Sequence, residues 1–280
     1  FEVLQTPVPE HGDLPAPDLR SSTIELDAVS VASRGAWAPA GLSATIPPGS
    51  LVALTGPSGA GKTTTTQVLL GLLDPDRGRV RVVPDGGDPD GAVDLAKIDP
   101  TTWWEQIAWV PQRPTITPGT VLDNVLDHAE SGASPAGGVP DVLVEAARAT
   151  GFDEVVDGLP QGWRTPVGSA GVGLSVGQRQ RLALTRALCS TAPLVVMDEP
   201  TAHLDAASEA HVLAGVRALH ASGRTVVVIA HRPALMALAE QTIAVTNEPV
   251  PPEPPEGIAP EPALDQAPAH EAATAQEETL

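Results

Sequence analysis

Short apolar runs that predict strands alternate with longer segments of helical spacing through most of this chain. The runs at 24–26 and 42–46 alternate apolar and polar positions, as half-buried strands do. Further runs that predict strands lie at 51–54, 80–83, 107–110, 194–198 and 225–230. Helical spacing lies at 120–160, 175–188 and 206–221. This order of elements predicts an α/β core in which helices flank a parallel sheet.

Composition divides the chain into three parts. Residues 1–22 hold four prolines among polar residues and predict an extended linker. Residues 23–246 carry the periodic pattern and predict one compact unit, with a mostly helical insert at about 113–190. Residues 247–280 are rich in Pro, Glu and Ala, so they cannot bury enough apolar surface to offset chain entropy. We expect this acidic tail to be disordered.

Charge and cysteine content narrow the classes of function. The net charge is −19, and eight acidic residues without any Lys or Arg lie in 248–280. A nucleic-acid partner is therefore not expected, because it needs a basic face. The single cysteine, Cys189, excludes an internal disulfide and fits a reducing compartment. No apolar run approaches the roughly 18 residues that predict a membrane-spanning helix.

A phosphate-binding loop follows the apolar run 51–54. Residues 56–63 match G-x-x-x-x-G-K-[ST]. Glycines in such a loop let backbone N–H groups converge on phosphates, while Lys62 reaches the β- and γ-oxygens and the Thr63 hydroxyl ligates Mg²⁺. The predicted nucleotide-binding residues are Gly56, Pro57, Ser58, Gly59, Ala60, Gly61, Lys62, Thr63 and Thr64. The motif predicts ATP binding and hydrolysis, with Mg²⁺ as cofactor.

Two carboxylates follow the apolar run at 194–197. Asp198 ends this run, where its carboxylate is expected to hold Mg²⁺ through water. Glu199 is the candidate general base that orients the attacking water. An Asp-Glu pair alone is more often a solvated loop start, but the upstream phosphate loop favours the catalytic interpretation.

A third motif, Leu174-Ser175-Val176-Gly177-Gln178, is similar to the signature sequence of the nucleotide-binding domains of ABC transporters, which residues 23–246 resemble as a whole. The resemblance implies a P-loop NTPase core with a parallel sheet, an antiparallel β subdomain and a helical signature subdomain. It also implies a head-to-tail dimer, homo- or heteromeric, in which residues 174–178 grip the γ-phosphate on the opposite subunit. The physical basis of this contact is the attraction between an anion and the N-terminus of a helix.

Other residues carry family roles through this resemblance. Gln112 matches the glutamine that senses Mg²⁺ and the transmembrane partner, and His231 matches the histidine that contacts the γ-phosphate. Residues 202–205 match the D-loop, with Asp205, and residues 165–168 look like an exporter-specific segment. The implied partner is an exporter's transmembrane domain, on a separate chain or on a missing half preceding the 1–22 linker. The implied location is the cytoplasmic face of the cell (inner) membrane.

Three departures from the family pattern bear on the site. Val176 replaces a glycine of the signature, which predicts slower or asymmetric turnover. Ser169 stands where exporters usually have Glu. The family stacks adenine on an aromatic residue, commonly Tyr, but this chain has no tyrosine. Trp37 is therefore the candidate for adenine stacking, with a core or surface tryptophan as the alternative.

Residues 107–112 and 173–180 look most like cysteine and glutathione exporters of the CydD type, which implies a thiol cargo. Two other readings stay open. One is a weakly hydrolysing, regulatory half of a heterodimeric transporter, which Val176 favours. The other is a non-transport ABC ATPase of DNA maintenance, although 113–173 holds neither heptads nor cysteine pairs.

Overall fold

The structure, a computed structural model, describes residues 12–86, 91–126, 139–168, 173–202 and 204–249. Ser169 and His203 lie outside the described residues, and so do residues 250–280 of the predicted tail. Among the described residues, no helix is both long and apolar enough to cross a membrane.

A five-stranded parallel sheet forms the centre of the fold. Its strands are β5 (Leu51–Thr55), β8 (Ile107–Val110), β11 (Leu194–Met197), β12 (Thr225–Ile229) and β13 (Gln241–Ala244). The spatial order is β13-β5-β12-β11-β8, and all four neighbouring pairs are parallel. The α/β fold with a parallel sheet is thus confirmed. Four of these strands match the apolar runs, because strands covered on both faces need continuous apolar sequence.

Antiparallel strands build the second layer and two small sheets. The second layer has the order β4-β1-β6-β7, formed by β1 (Ser22–Ser30), β4 (Leu42–Ile46), β6 (Arg77–Pro84) and β7 (Val93–Asp94). The small sheets comprise β2 (Ala32–Ser33), β3 (Ala36–Trp37) and β14 (Glu248–Pro249), and β9 (Gly119–Thr120) with β10 (Pro166–Val167). The predicted antiparallel β subdomain is confirmed as well.

Along the chain, the described helices lie between the first and last strands of the parallel sheet, β5 and β13. They are α1 (Lys62–Leu69), α2 (Pro100–Trp104), α3 (Val121–Leu126), α4 (Asp141–Thr150), α5 (Phe152–Asp157), α6 (Val176–Cys189), α7 (Ala206–Ala221) and α8 (Pro233–Met236). Single 3₁₀ turns lie at Leu95–Lys97 and Gly162–Arg164. Helices α3 to α6 fall in the predicted helical insert, which also contains the β9–β10 pair.

Three apolar clusters hold these layers together. The first lies between the two large sheets and includes Val52 and Leu54 of β5, while Leu51 and Ala53 face the second cluster under α6 and α7. The third cluster centres on Phe152 and lies within the helical insert. Helix α6 contributes to both the second and third clusters, so one rigid helix joins the insert to the core.

The compact unit extends beyond both of the boundaries, 23 and 246, that were predicted from the sequence. Within the predicted linker, residues 12–21 form no helix or strand, but Leu19 is buried at 2 % exposure. Its N–H donates to Gln106 Oε1 at 2.9 Å, and Gln106 Nε2 donates to Pro17 O at 3.0 Å. At the other end, the first residues of the predicted tail form β14 and pair with β3. Packing against the domain therefore begins before residue 22 and continues to 249.

Candidate active site

The phosphate loop connects β5 to α1 in a backbone path that only glycine adopts. Gly56 and Gly61 have φ angles of 142° and 99°, in the region that L side chains avoid. A Cβ at Gly56 would lie 2.3 Å from Val245 O, and one at Gly61 would lie 2.2 Å from the carbonyl carbon of Ala38. Flanking backbone therefore encloses the loop, whose N–H groups stand at the N-terminus of α1.

Lys62 is a buried cation at the first position of α1. It is 6 % exposed, and its Nζ donates to Gly56 O and Pro57 O at 2.9 Å each. Among the described residues it makes no salt bridge. A buried ammonium held by carbonyl oxygens is only partly compensated, so the loop is built to accept an anion.

Asp198 and Thr63 form a pair of oxygen donors beside Lys62. Burial raises the pKa of the Asp198 carboxyl, and a hydrogen bond from the Thr63 side chain opposes this shift. The Asp198 N–H donates to Val110 O at 3.0 Å, which holds the main chain of Asp198 at the carboxyl end of the parallel strands. A carboxylate and a hydroxyl are hard oxygen ligands, and a divalent cation would offset the burial of the Asp198 charge. These residues therefore fit Mg²⁺.

Glu199 is held by two side chains that come from neighbouring strands. His231 Nε2 lies 2.8 Å from Glu199 Oε1, and Gln112 Nε2 donates to Glu199 Oε2 at 3.0 Å. Glu199 itself has a φ of 45°, a conformation that is strained for a non-glycine residue. Gln112, Glu199 and His231 follow β8, β11 and β12, so they meet at the carboxyl edge of the sheet, the usual ligand site of such folds.

A cavity of about 480 Å³ opens over the phosphate loop. Its floor is formed by the loop and the start of α1, and Glu199 and His231 border it. Its far end is lined by residues of the β2–β3 hairpin, namely Ser33, Arg34, Ala36 and Ala38. Lys62, Thr63, Glu199 and His231 thus line one cavity. Asp198 and Gln112 lie behind this lining, hydrogen-bonded to Thr63 and Glu199 respectively.

The signature segment does not line this cavity. Ser175 caps α6, because its Oγ accepts from Gln178 N at 3.3 Å and its N–H donates to Gln178 Oε1 at 2.8 Å. A Cβ at Gly177 would lie 2.7 Å from Ser208 Oγ and 3.2 Å from Ser208 Cβ on α7, so α6 packs closely on α7 at this glycine. Val176 is 54 % exposed and Leu174 is buried.

Comparison with known proteins identifies the family of this chain. A family model described as ABC transporter matches residues 40–202. The chain is 38 % identical over 226 residues to the mycobactin import ATP-binding/permease protein IrtB of Mycobacterium tuberculosis, and the match covers 80 % of this chain and 36 % of that protein. The chain belongs to the ABC transporter family. The resemblance inferred from the signature is confirmed, and the chain is an ABC-type ATPase domain.

Other relatives of this ABC domain are transport proteins as well. It is 37 % identical to the ATP-dependent lipid A-core flippase of Dechloromonas aromatica, over 80 % of this chain and 36 % of that one. It is 35 % identical to the colicin V secretion/processing ATP-binding protein CvaB of Escherichia coli, over 73 % and 27 %. A solved structure of a bacterial Atm1-family ABC exporter with ATP bound gives a TM-score of 0.71 at 29 % identity, covering 89 % of this chain and 43 % of that one. The chain spans about a third of the length of these curated relatives.

The predicted adenine contact of Trp37 is not what the ABC domain's geometry favours. Ala36 and Ala38 line the cavity, whereas Trp37 between them does not. Alternation along β3 turns its ring away, where the guanidinium carbon of Arg77 lies 4.1 Å from the ring centroid. Arg34 is the charged side chain that the hairpin presents to the cavity.

We expect Trp37→Ala to lower the melting temperature of this ABC domain while ATP affinity changes less than about twofold. The substitution removes a cation–π contact worth about 0.5–1 kcal/mol together with packing under the hairpin. The matched control is Arg34→Ala, which should weaken ATP binding without a loss of stability. Thermal denaturation and equilibrium binding of a fluorescent ATP analogue measure both. A large loss of ATP affinity in a fully stable Trp37→Ala variant would instead support stacking of Trp37 on the adenine ring.

Sequence reasoning missed the buried contact of Gln180 and the helix-capping role of Asp205 in this ABC domain. Gln180 on α6 is 1 % exposed and donates to Gln112 O at 2.9 Å, although its helical spacing gave no sign of a site. Asp205, expected as a D-loop residue, caps α7 by accepting a hydrogen bond from Ser208 N at 2.7 Å. Hydrogen bonds from the backbone and the side chain of Ser208 lower the pKa of the Asp205 carboxyl. A capping signal at Asp205 was readable from Asp followed by a helical segment.

Proposed function

We propose that this ABC domain hydrolyses ATP to drive a transmembrane partner domain of an exporter-type transporter at the cytoplasmic face of the membrane. One observation carries the proposal: Glu199 stands between Gln112 and His231 at the border of a cavity that contains a buried Lys62. A carboxylate so placed is oriented for general-base chemistry beside bound phosphates. The names of the relatives support the link to transport.

Binding of ATP follows from the phosphate loop. Backbone N–H groups of 56–61 and the Nζ of Lys62 would contact the phosphates, and in doing so Lys62 would exchange carbonyl partners for anionic oxygens. Thr63, Asp198 and Gln112 would hold Mg²⁺, which neutralises charge on the β- and γ-phosphate oxygens. Arg34 would border the base or ribose.

Hydrolysis requires a water molecule in line with the γ-phosphate. Glu199 accepts hydrogen bonds from Gln112 and His231, but a carboxylate has about four acceptor positions, so positions remain for a water. Glu199 would take the water proton as the new oxygen–phosphorus bond forms and the bond to the ADP oxygen breaks. His231, held against Glu199, would reach the γ-phosphate oxygen.

The second nucleotide-binding domain would complete the site. Residues 174–178 lie off the cavity of their own chain, and Ser175 and Gly177 begin a 14-residue helix. These facts support a head-to-tail dimer in which the signature of one subunit meets the γ-phosphate on the other. The exposed Val176 stands at this face and supports the second candidate, a regulatory half that pairs with a different and more active domain.

A groove beside the edge strand β8 supports a transmembrane partner. Trp109 is 51 % exposed, and it lines a groove of about 430 Å³ together with Pro111, Thr115 and Ala183. We propose that a cytoplasmic segment of the transmembrane domain binds here, directly before Gln112. A thiol cargo such as cysteine or glutathione rests on the resemblance of 107–112 and 173–180 alone, and the names of the relatives give it no support.

We expect Lys62→Ala to weaken ATP binding about tenfold to a hundredfold. The change removes charge-assisted hydrogen bonds worth about 1.5–3 kcal/mol. Lys97→Ala is the matched control, since Lys97 is exposed and does not line the cavity. Titration with a fluorescent ATP analogue and steady-state phosphate release test the proposal together. Unchanged affinity in Lys62→Ala, with normal folding, would remove the phosphate loop from the site and overturn the proposed function.

A further inference from the structure

Gln180 is a buried polar residue at the junction between the signature helix and the hydrolysis site. It lies on α6 five residues after Ser175 and is 1 % exposed. Its Nε2 donates to the backbone carbonyl of Gln112 at 2.9 Å. Its Oε1 has no hydrogen-bond partner among the described residues. The amide orientation follows from the contact, because only the NH₂ group can bond to a carbonyl oxygen.

A continuous series of hydrogen bonds runs from Gln180 to the candidate base. Gln180 holds the main chain of Gln112, the side chain of Gln112 donates to Glu199 at 3.0 Å, and His231 lies 2.8 Å from the other oxygen of Glu199. The Gln112 loop follows β8, which among the described strands lies at the edge of the sheet and pairs with β11 alone. Arg186 on the same helix also bonds to this loop, at Thr115 O, while the contact from Gln180 holds the main chain of Gln112 directly.

Stability alone does not account for this residue. Burying an amide oxygen without a partner costs free energy, and an apolar side chain of similar size would avoid that cost. Helix α6 already carries apolar residues into both clusters that it joins, through Leu182 and Leu184. The donor group of Gln180 therefore serves the Gln112 carbonyl.

We propose that Gln180 is a positioning residue that sets Gln112 against Glu199 and so ties the signature helix to hydrolysis in its own subunit. This inference rests on the proposed roles of Gln112 and Glu199. A shift of α6 would move the Gln112 main chain through one hydrogen bond, and with it the amide that orients the base. Gln180 acts through Gln112 and touches no nucleotide.

The test compares Gln180→Met with Thr185→Val in the full chain. Methionine keeps the volume of glutamine and removes the donor. Thr185, also on α6, is fully buried and bonds to Thr150 at 2.7 Å, so its replacement perturbs the same helix without touching Gln112. We expect Gln180→Met to lower kcat about tenfold, an ordinary coupling within one hydrogen-bond network, while KM changes little. Thr185→Val should lower the melting temperature with kcat unchanged.

Two further measurements separate positioning from general damage. In a Gln112→Ala background, Gln180→Met should cost no further kcat, because the side chain that it positions is gone. Affinity for a fluorescent ATP analogue should be unchanged in EDTA, and the gain on adding Mg²⁺ should be smaller in Gln180→Met than in wild type, since Gln112 is the proposed Mg²⁺ ligand.

The outcomes distinguish this inference from the function on which it rests. Wild-type kcat in a folded Gln180→Met variant overturns the inference alone, as does a full additional loss in the Gln112→Ala background. A kcat loss in Thr185→Val equal to that in Gln180→Met also overturns it. A wild-type chain that neither binds nor hydrolyses ATP overturns the proposed function, and the inference with it.

Discussion

Replacing Glu199 with glutamine is expected to slow ATP hydrolysis at least about a hundredfold, the usual scale for a positioned base. Glutamine keeps the shape of the side chain but cannot take a proton from the attacking water. ATP affinity should stay nearly unchanged, because Lys62 and the phosphate loop are untouched. Phosphate release under single-turnover conditions measures the chemical step, and titration with a fluorescent ATP analogue measures binding.

The chain offers a matched control for this change. Glu240 also pairs with a histidine, His220 Nε2, at 3.5 Å, but it lies away from the cavity. Glu240→Gln should therefore hydrolyse ATP at the wild-type rate. If Glu199→Gln turns over as fast as wild type, the base lies elsewhere and the arrangement around Glu199 is structural.

The second large effect concerns the signature in trans. Ser175→Arg is expected to leave ATP binding by the monomer intact and to abolish ATP-driven dimerisation. Ser175 does not line the cavity of its own chain, and an arginine would place a bulky side chain where the partner's γ-phosphate must approach. The assay is size exclusion with ATP in a Glu199→Gln background, where stalled chemistry should accumulate the dimer.

Loss of the helix cap accompanies this substitution and needs its own control. Removing the Ser175 cap should cost about 1 kcal/mol of stability, which thermal denaturation will show. Ser222→Arg makes the same exchange at an exposed helix end and should dimerise normally. Dimerisation of Ser175→Arg on ATP would contradict the head-to-tail arrangement. If Glu199→Gln alone forms no dimer, the second domain is a different chain.

Gln112 and His231 were predicted through the family resemblance and Glu199 from the apolar run before it, and the way parallel sheets are built explains why the three meet. Gln112, Glu199 and His231 each follow an apolar run, and the carboxyl ends of parallel strands meet at one edge. Polar residues directly after buried strands therefore converge whatever the loops between them do. The phosphate loop was predictable for a related reason, since its glycine spacing encodes the backbone path.

Features that depend on distant pairing were not predictable. The orientation of Trp37 depends on its pairing with Ala32 of β2 on one side and with Glu248 of β14 on the other, and two-residue strands of this kind show no periodicity in the sequence. Leu19 is buried through a contact with Gln106, which lies 87 positions away. Within the subunit, the nearest obstacle to a side chain at position 177 is Ser208 on α7, a contact that the signature motif alone does not reveal.

Helix α6 belongs to two apolar clusters and is rigid, so a movement at one of its ends is transmitted to the other. Its C-terminal half packs through Ala183 and Ala187 under the parallel sheet, while its beginning, capped by Ser175, packs on α7 at Gly177. Its 14 residues span about 20 Å. A rotation of about 10° about Ala187, which lies about 18 Å from Ser175, therefore carries Ser175 through about 3 Å, the length of a hydrogen bond. A larger side chain at Ala183 or Ala187 would therefore tilt the helix and displace the signature, although neither alanine lies at the phosphate site.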